Sequence, residues 1–71
     1  MKLNYHKDTD SLYIELSSRP STDSREISEG IVLAYDANGH VTGIDIDNGS
    51  NNVDFDQIVL NKLPTEATLT Q

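Results

Sequence analysis

Side chains with oxygen ligands are concentrated in residues 45–56, which read Asp-Ile-Asp-Asn-Gly-Ser-Asn-Asn-Val-Asp-Phe-Asp. Carboxylate and amide oxygens are the ligands that calcium prefers, so this segment is a candidate calcium or small-ligand site. An EF-hand loop needs glycine at its sixth position and glutamate at its twelfth, but a loop starting at Asp45 would have Ser50 and Asp56 there. Turn geometry and helix capping explain the same composition more simply.

Paired carboxylates could also support acid–base chemistry. Asp45 and Asp47 are two residues apart, which places them on one face of a strand. The chain has no cysteine, and neither of its two histidines, His6 and His40, lies in a pattern that brings it beside a serine. A chain of 71 residues can hardly form the deep cleft that shifts catalytic pKa values. We therefore expect no enzyme and no metal or other cofactor, with calcium binding as the alternative.

The elements that position these residues are predicted to be β-strands, because apolar residues alternate with polar ones along much of the chain. Residues 31–35 are continuously apolar, which is typical of a strand covered on both faces. Asn38-Gly39 predicts a tight hairpin turn, and Gly43 predicts a bulge or a close approach of another group. Strands are predicted over residues 3–5, 12–16, 25–28, 31–35 and 41–47.

The segment after the last strand predicts a short helix. Ser50 is a candidate N-cap, and Asp54 and Asp56 would lie near the helix start. Apolar residues from Val53 onwards would pack the helix on the sheet, although residues 54–60 also contain a strand-like run. The fold class is therefore α+β, mostly β: a small antiparallel sheet of four to five strands in hairpins with one short C-terminal helix. Residues 1–64 would form a single domain, and residues 65–71 a frayed tail.

Charge indicates the kind of partner. The formal net charge is -7, and residues 26–61 contain seven acids and no Lys or Arg. This balance disfavours nucleic acid and anionic membranes as ligands and favours a basic protein. A solvated acidic face is the alternative interpretation. The candidate partner-binding residues are those expected on the sheet face opposite the helix: Tyr13, Glu15, Asp45 and Asp47.

Small size favours self-association. A domain of this length has a thin stability margin and exposed sheet edges, so pairing of edges would make it a homodimer. No apolar run approaches the roughly 18 residues of a membrane span, and the first residues contain no apolar stretch of signal-peptide length. We expect a cytoplasmic protein.

Three stretches of the sequence resemble the bacterial domain-of-unknown-function 2283 family. Residues 5–14 contain a tyrosine, an acidic turn and Asp-Ser-Leu-Tyr-Ile, and residues 25–36 are similar to the middle segment of the family. Residues 38–46 resemble its most distinctive stretch, usually Gly-x-Val-Val-Gly-Ile-Glu-Ile, with Asp45 where glutamate is typical. Residues 47–50 depart from the common Leu-x-Ala-Ser and keep only Ser50.

The resemblance implies a small stand-alone protein with no catalytic residues to carry over. Some family members lie beside genes for small toxin-like proteins, which implies an antitoxin or inhibitor role. Such a role would suit an acidic chain that binds a basic toxin.

Overall fold

The computed structural model describes residues 1–61 and Pro64, and within them the chain forms strands followed by one short helix. These elements are β1 Lys2–His6, β2 Ser11–Glu15, β3 Asp23–Ser28, β4 Ile31–Tyr35, β5 Val41–Ile46 and α1 Gly49–Asn52. The strands form one sheet in the order β1-β2-β5-β4-β3, and all neighbours are antiparallel. The prediction of a mostly β fold with a small antiparallel sheet and one short helix is confirmed.

One face of the sheet is apolar. Residues directly opposite each other on neighbouring strands share a face, so the pairs Leu3–Ile14, Ile14–Ile44 and Leu33–Ile44 form one apolar row. We call this side the apolar face; its members are Leu3, Tyr5, Leu12, Ile14, Ile31, Leu33, Ile44 and Ile46. Leu12 is the one apolar side chain among the described residues that is fully buried, at 5% exposure.

The other side is more polar, and we call it the polar face. The alternation of side chains along each strand places Asn4, Tyr13 and Asp45 in one row across it. Glu15 lies on the same face opposite Gly43, and the row continues from Asp45 to Val32 and Glu26. Its members used below are Asn4, Tyr13, Glu15, Glu26, Val32, Gly43 and Asp45.

The β4–β5 turn forms where Asn38-Gly39 predicted it. Gly39 has a φ of 82°, a conformation that glycine adopts without the steric cost of a Cβ. The ladder between these strands shifts register between Ala34 and Tyr35, so the strand on the other side carries an extra residue, Thr42. Thr42 is 2% exposed. The bulge therefore lies beside Gly43, as predicted.

The predicted position of the helix is wrong. α1 ends at Asn52, and Val53 after it is extended, with φ −134° and ψ 140°. Residues 54–61 form neither helix nor strand, so Asp54 and Asp56 do not lie at a helix start. The N-cap is Asn48, not Ser50, because α1 begins at Gly49; Ser50 lies within the helix, and its N–H and hydroxyl donate to Asp10. A helix of four residues is too short to cover the apolar face.

The predicted frayed tail, residues 65–71, lies outside the described residues. None of the helices in residues 1–61 and 64 is both long enough and apolar enough to cross a membrane.

Candidate functional site

The sheet brings the predicted partner-binding residues together on the polar face. Tyr13 on β2 lies directly opposite Asp45 on β5, and Glu15 lies two residues along β2, opposite Gly43. Asp47 follows the end of β5, where its N–H donates to the carbonyl of Gly30 at 2.8 Å. This bond continues the ladder, so Asp47 keeps the side of the sheet that Asp45 occupies. Strand order therefore unites residues that are 30 or more positions apart in the sequence.

The far end of the Tyr13 ring lies against Gly43. A Cβ on Gly43 would lie 2.7 Å from Cζ and 3.1 Å from Cε1 of the tyrosine ring, and closer still to its hydroxyl. Real side-chain carbons do not approach so closely, so only glycine leaves room for the ring. The tyrosine is half-buried, and the missing side chain of Gly43 leaves the space on the polar face that its ring occupies.

The acids of the polar face have no cationic partner among the described residues. Ion pairs within 4.0 Å in residues 1–61 and 64 involve only Asp36. Lys2 is opposite Glu15 in the β1–β2 register, but the two side chains do not form an ion pair. Asp45 and Asp47 are exposed. Within the described residues, no ion pair neutralises the negative charge of this surface.

Asp36 has a structural role that the sequence did not reveal. Its Oδ1 accepts the N–H groups of Asn38 and His40, at 2.9 and 3.0 Å, and so closes the β4–β5 turn. Arg19 Nε lies 2.9 Å from Oδ2, yet this oxygen accepts no hydrogen bond, so the attraction is Coulombic. The N–H of His40, followed by the N–H of Asn38 and the charge of Arg19, lowers the pKa of Asp36. A carboxylate after a strand and before Asn-Gly is the signal that could have identified this role.

Asp10 connects the first turn to the helix. Its carboxylate accepts hydrogen bonds from the Ser50 hydroxyl at 2.6 Å, the Ser50 N–H at 3.1 Å and the Tyr5 hydroxyl at 2.6 Å. Its carbonyl accepts the N–H of Gly49 at 2.7 Å. We call these contacts the Asp10 clamp. The hydrogen bonds from Ser50 and then Tyr5 lower the pKa of Asp10, and the bond to Asp10 raises the pKa of Tyr5.

Comparison with protein-family models gives a match over residues 2–50, to a family described as protein of unknown function (DUF2283). The chain belongs to the DUF2283 family. Comparisons with curated proteins and with solved structures give no match. The DUF2283 match covers all five strands of the described sheet and ends at Ser50, the residue that the Asp10 clamp holds.

The positions that carried the DUF2283 resemblance have structural roles. Asp10 forms the clamp, Gly39 provides the positive φ of the hairpin turn, and Gly43 accommodates Tyr13. Ile44 lies at the centre of the apolar face. Asp45 makes no hydrogen bond or ion pair through its side chain with any described residue. Within the described residues, it is the member of this set whose exposed side chain has no polar partner.

The predicted calcium segment of this DUF2283 chain does not converge on a point. Asp45 lies on the polar face of β5, while the Asp47 carbonyl accepts the Asn52 side-chain amide at 3.0 Å. No three or more His, Asp or Glu side chains in residues 1–61 and 64 are grouped so that they could hold a metal ion. Calcium binding therefore stays a prediction with no geometric support.

Proposed function

We propose that this protein is a protein-binding module, antitoxin-like or otherwise inhibitory, that binds a basic protein through its polar face. The observation that supports the proposal is the direct cross-strand pairing of Tyr13 with Asp45, on a face whose acids form no ion pair within the described residues. Glu15 and Asp47 extend the same surface. The proposal places the module in the cytoplasm with its partner.

The composition of this surface suits a protein partner. Tyrosine provides a large contact area with little loss of side-chain entropy and is enriched at interfaces. Tyr13 is half-buried and lies against Gly43, which leaves part of its ring exposed to a partner. Exposed acids around a central aromatic ring accelerate encounter with a basic partner and select against acidic ones. A net charge of -7 supplies the long-range attraction.

The test compares two charge reversals of equal size. Asp45→Lys with Asp47→Lys changes the polar face, and Asp54→Lys with Asp56→Lys makes the same change in net charge outside the strands. The tagged protein first captures partners at low salt, and the affinity of each purified partner is then measured for both variants. We expect the polar-face variant to lose binding and the control to keep most of it, with affinity falling as salt rises.

Equal loss in both variants would show that only the total charge matters and that the polar face is not the site. Unchanged binding in both variants, or affinity that does not depend on salt, would refute docking through the acids. Tyr13→Ala provides a second, uncharged variant of the same face. Its binding should weaken at every salt concentration, because salt does not screen the packing of an aromatic ring at the centre of an interface.

A further inference from the structure

The two edges of the sheet differ in how they are blocked. In an antiparallel strand, the N–H and C=O of one residue point to the same side, and successive residues alternate. The carbonyl of Tyr35 accepts the N–H of Thr22, so the backbone groups of Tyr35 point towards β3. On β3, the residues whose N–H and C=O groups point out of the sheet are therefore Ser24 and Glu26. The N–H of Ser24 donates to the Asp23 side chain at 2.8 Å, and the register shifts after Glu26. The β3 edge therefore has one outward N–H already bonded and an irregular register, both of which disfavour pairing with another strand.

The β1 edge has neither a side chain bonded to an outward N–H nor a register shift within the described residues. Leu16 donates its N–H to the carbonyl of Thr42 on β5 at 2.9 Å. Because backbone groups alternate along a strand, the N–H and C=O of Tyr13, three residues earlier, point towards β1. Tyr13 is paired with Asn4, which leaves the N–H and C=O groups of Leu3 and Tyr5 pointing out of the sheet. Within residues 1–61 and 64 these groups have no hydrogen-bond partner, and all five pairs of the β1–β2 register are regular.

We infer that β1 pairs with β1 of a second copy of this chain, antiparallel and centred on Asn4. The outward residues Leu3 and Tyr5 are symmetric about Asn4, so a two-fold axis there places Leu3 of one copy opposite Tyr5 of the other. Each such pair exchanges both of its N–H···O bonds. This inference does not depend on the proposed function.

The side chains of this register also fit a second copy. Leu3 and Tyr5 belong to the apolar face and are 45% and 46% exposed, so each would cover the other across the junction. Aliphatic–aromatic pairs of this kind stabilise neighbouring strands. On the polar face Asn4 meets its own copy, where two amides can exchange hydrogen bonds. The apolar faces of both copies then join into one continuous surface.

The first test is mass as a function of concentration, by sedimentation equilibrium. We expect the native chain to form dimers, Leu3→Pro to be monomeric and Leu3→Ala to dimerise more weakly. Proline removes the outward N–H of Leu3 without removing a bond to β2, and alanine removes only the side chain. Circular dichroism checks that Leu3→Pro is folded. A native chain that is monomeric at every concentration would overturn the inference, as would a folded Leu3→Pro variant that dimerises like the native chain.

Hydrogen exchange separates the β1 edge from other surfaces. The amides of Leu3 and Tyr5 should exchange slowly in the dimer and rapidly in dilute monomer. Slow exchange of both amides in the monomer would overturn the inference, because another part of the chain would then cover this edge.

In the proposed register Lys2 faces His6 of the other copy, so His6→Glu should tighten the dimer and His6→Lys should weaken it. The expected change is about two- to thirtyfold, since symmetry repeats the pair. Equal affinities of these two variants would refute the register.

Discussion

The contact between Tyr13 and Gly43 predicts that Gly43→Ala destabilises the protein when Tyr13 is present and stabilises it when Tyr13 is replaced by alanine. A Cβ on residue 43 would lie 2.7 Å from Tyr13 Cζ, whereas carbon atoms pack at about 3.5–4.0 Å, so the ring must retreat by roughly 1 Å. Such overpacking costs about 1–3 kcal/mol. The φ of Gly43 is not positive, so alanine fits the backbone and recovers about 0.5–1 kcal/mol of strand stability. Gly43→Ala should therefore destabilise the protein by up to about 2.5 kcal/mol.

In a Tyr13→Ala background the ring is gone and only the backbone benefit remains. There Gly43→Ala should stabilise the protein by about 0.5–1 kcal/mol. Urea unfolding of the four proteins gives the coupling energy directly, which should be about 1–3 kcal/mol. A coupling energy of zero, with Gly43→Ala acting alike in both backgrounds, would refute the reasoning that the glycine exists to seat the ring. Since Tyr13 is also a proposed contact residue, Gly43→Ala should weaken partner binding as well.

Three further predictions concern the core and the Asp10 clamp. Leu12→Ala should cost about 2–5 kcal/mol in urea unfolding, because Leu12 is buried at 5% exposure; a cost below about 1 kcal/mol would contradict its role in the core. Asp10→Gly keeps the positive φ of 54° but removes the carboxylate, so stability should fall at neutral pH. Because the pKa of Asp10 is lowered in the folded state, its contribution is complete above the unfolded pKa of about 3.9 and is lost as the pH falls through the folded value. Asp10→Gly should therefore flatten the acid side of the stability profile, and an unchanged profile would exclude this carboxylate as its source. The same variant should lower the pKa of Tyr5 in a spectrophotometric titration, since the bond to Asp10 is the main cause that raises it; an unchanged Tyr5 pKa would contradict that bond.

Strands and turns could be predicted because their determinants are local. Residues 31–35 are apolar throughout, and they form β4 with those bounds. The Asn38-Gly39 turn followed from the need for a positive φ, which Gly39 has. The helix could not be placed in the same way. Ser50 has the residue type of an N-cap, yet its partner is Asp10, forty positions away, and no local pattern announces such a bond.

The sequence predicted which residues lie on the polar face, but it did not predict which of them are neighbours across strands. Alternation alone places Tyr13 and Glu15 on one side of a strand and Asp45 on one side of another. The pairing of Tyr13 with Asp45 requires β2 and β5 to be neighbours, although two strands separate them in the sequence. The contact between Arg19 and Asp36 was missed for a similar reason, since it joins the β2–β3 connection to the β4–β5 turn.

The extent of the family match locates the common structural unit. The match ends at Ser50, where the Asp10 clamp closes on the start of α1, so the matched residues contain the sheet and its fastening. Beyond it, Phe55 packs on Tyr5 with ring centroids 4.9 Å apart, but the ring remains 43% exposed. Residues 53–61 form neither helix nor strand, and Phe55 is the aromatic residue by which they contact the sheet. The polar face and the β1 edge both lie within the matched residues.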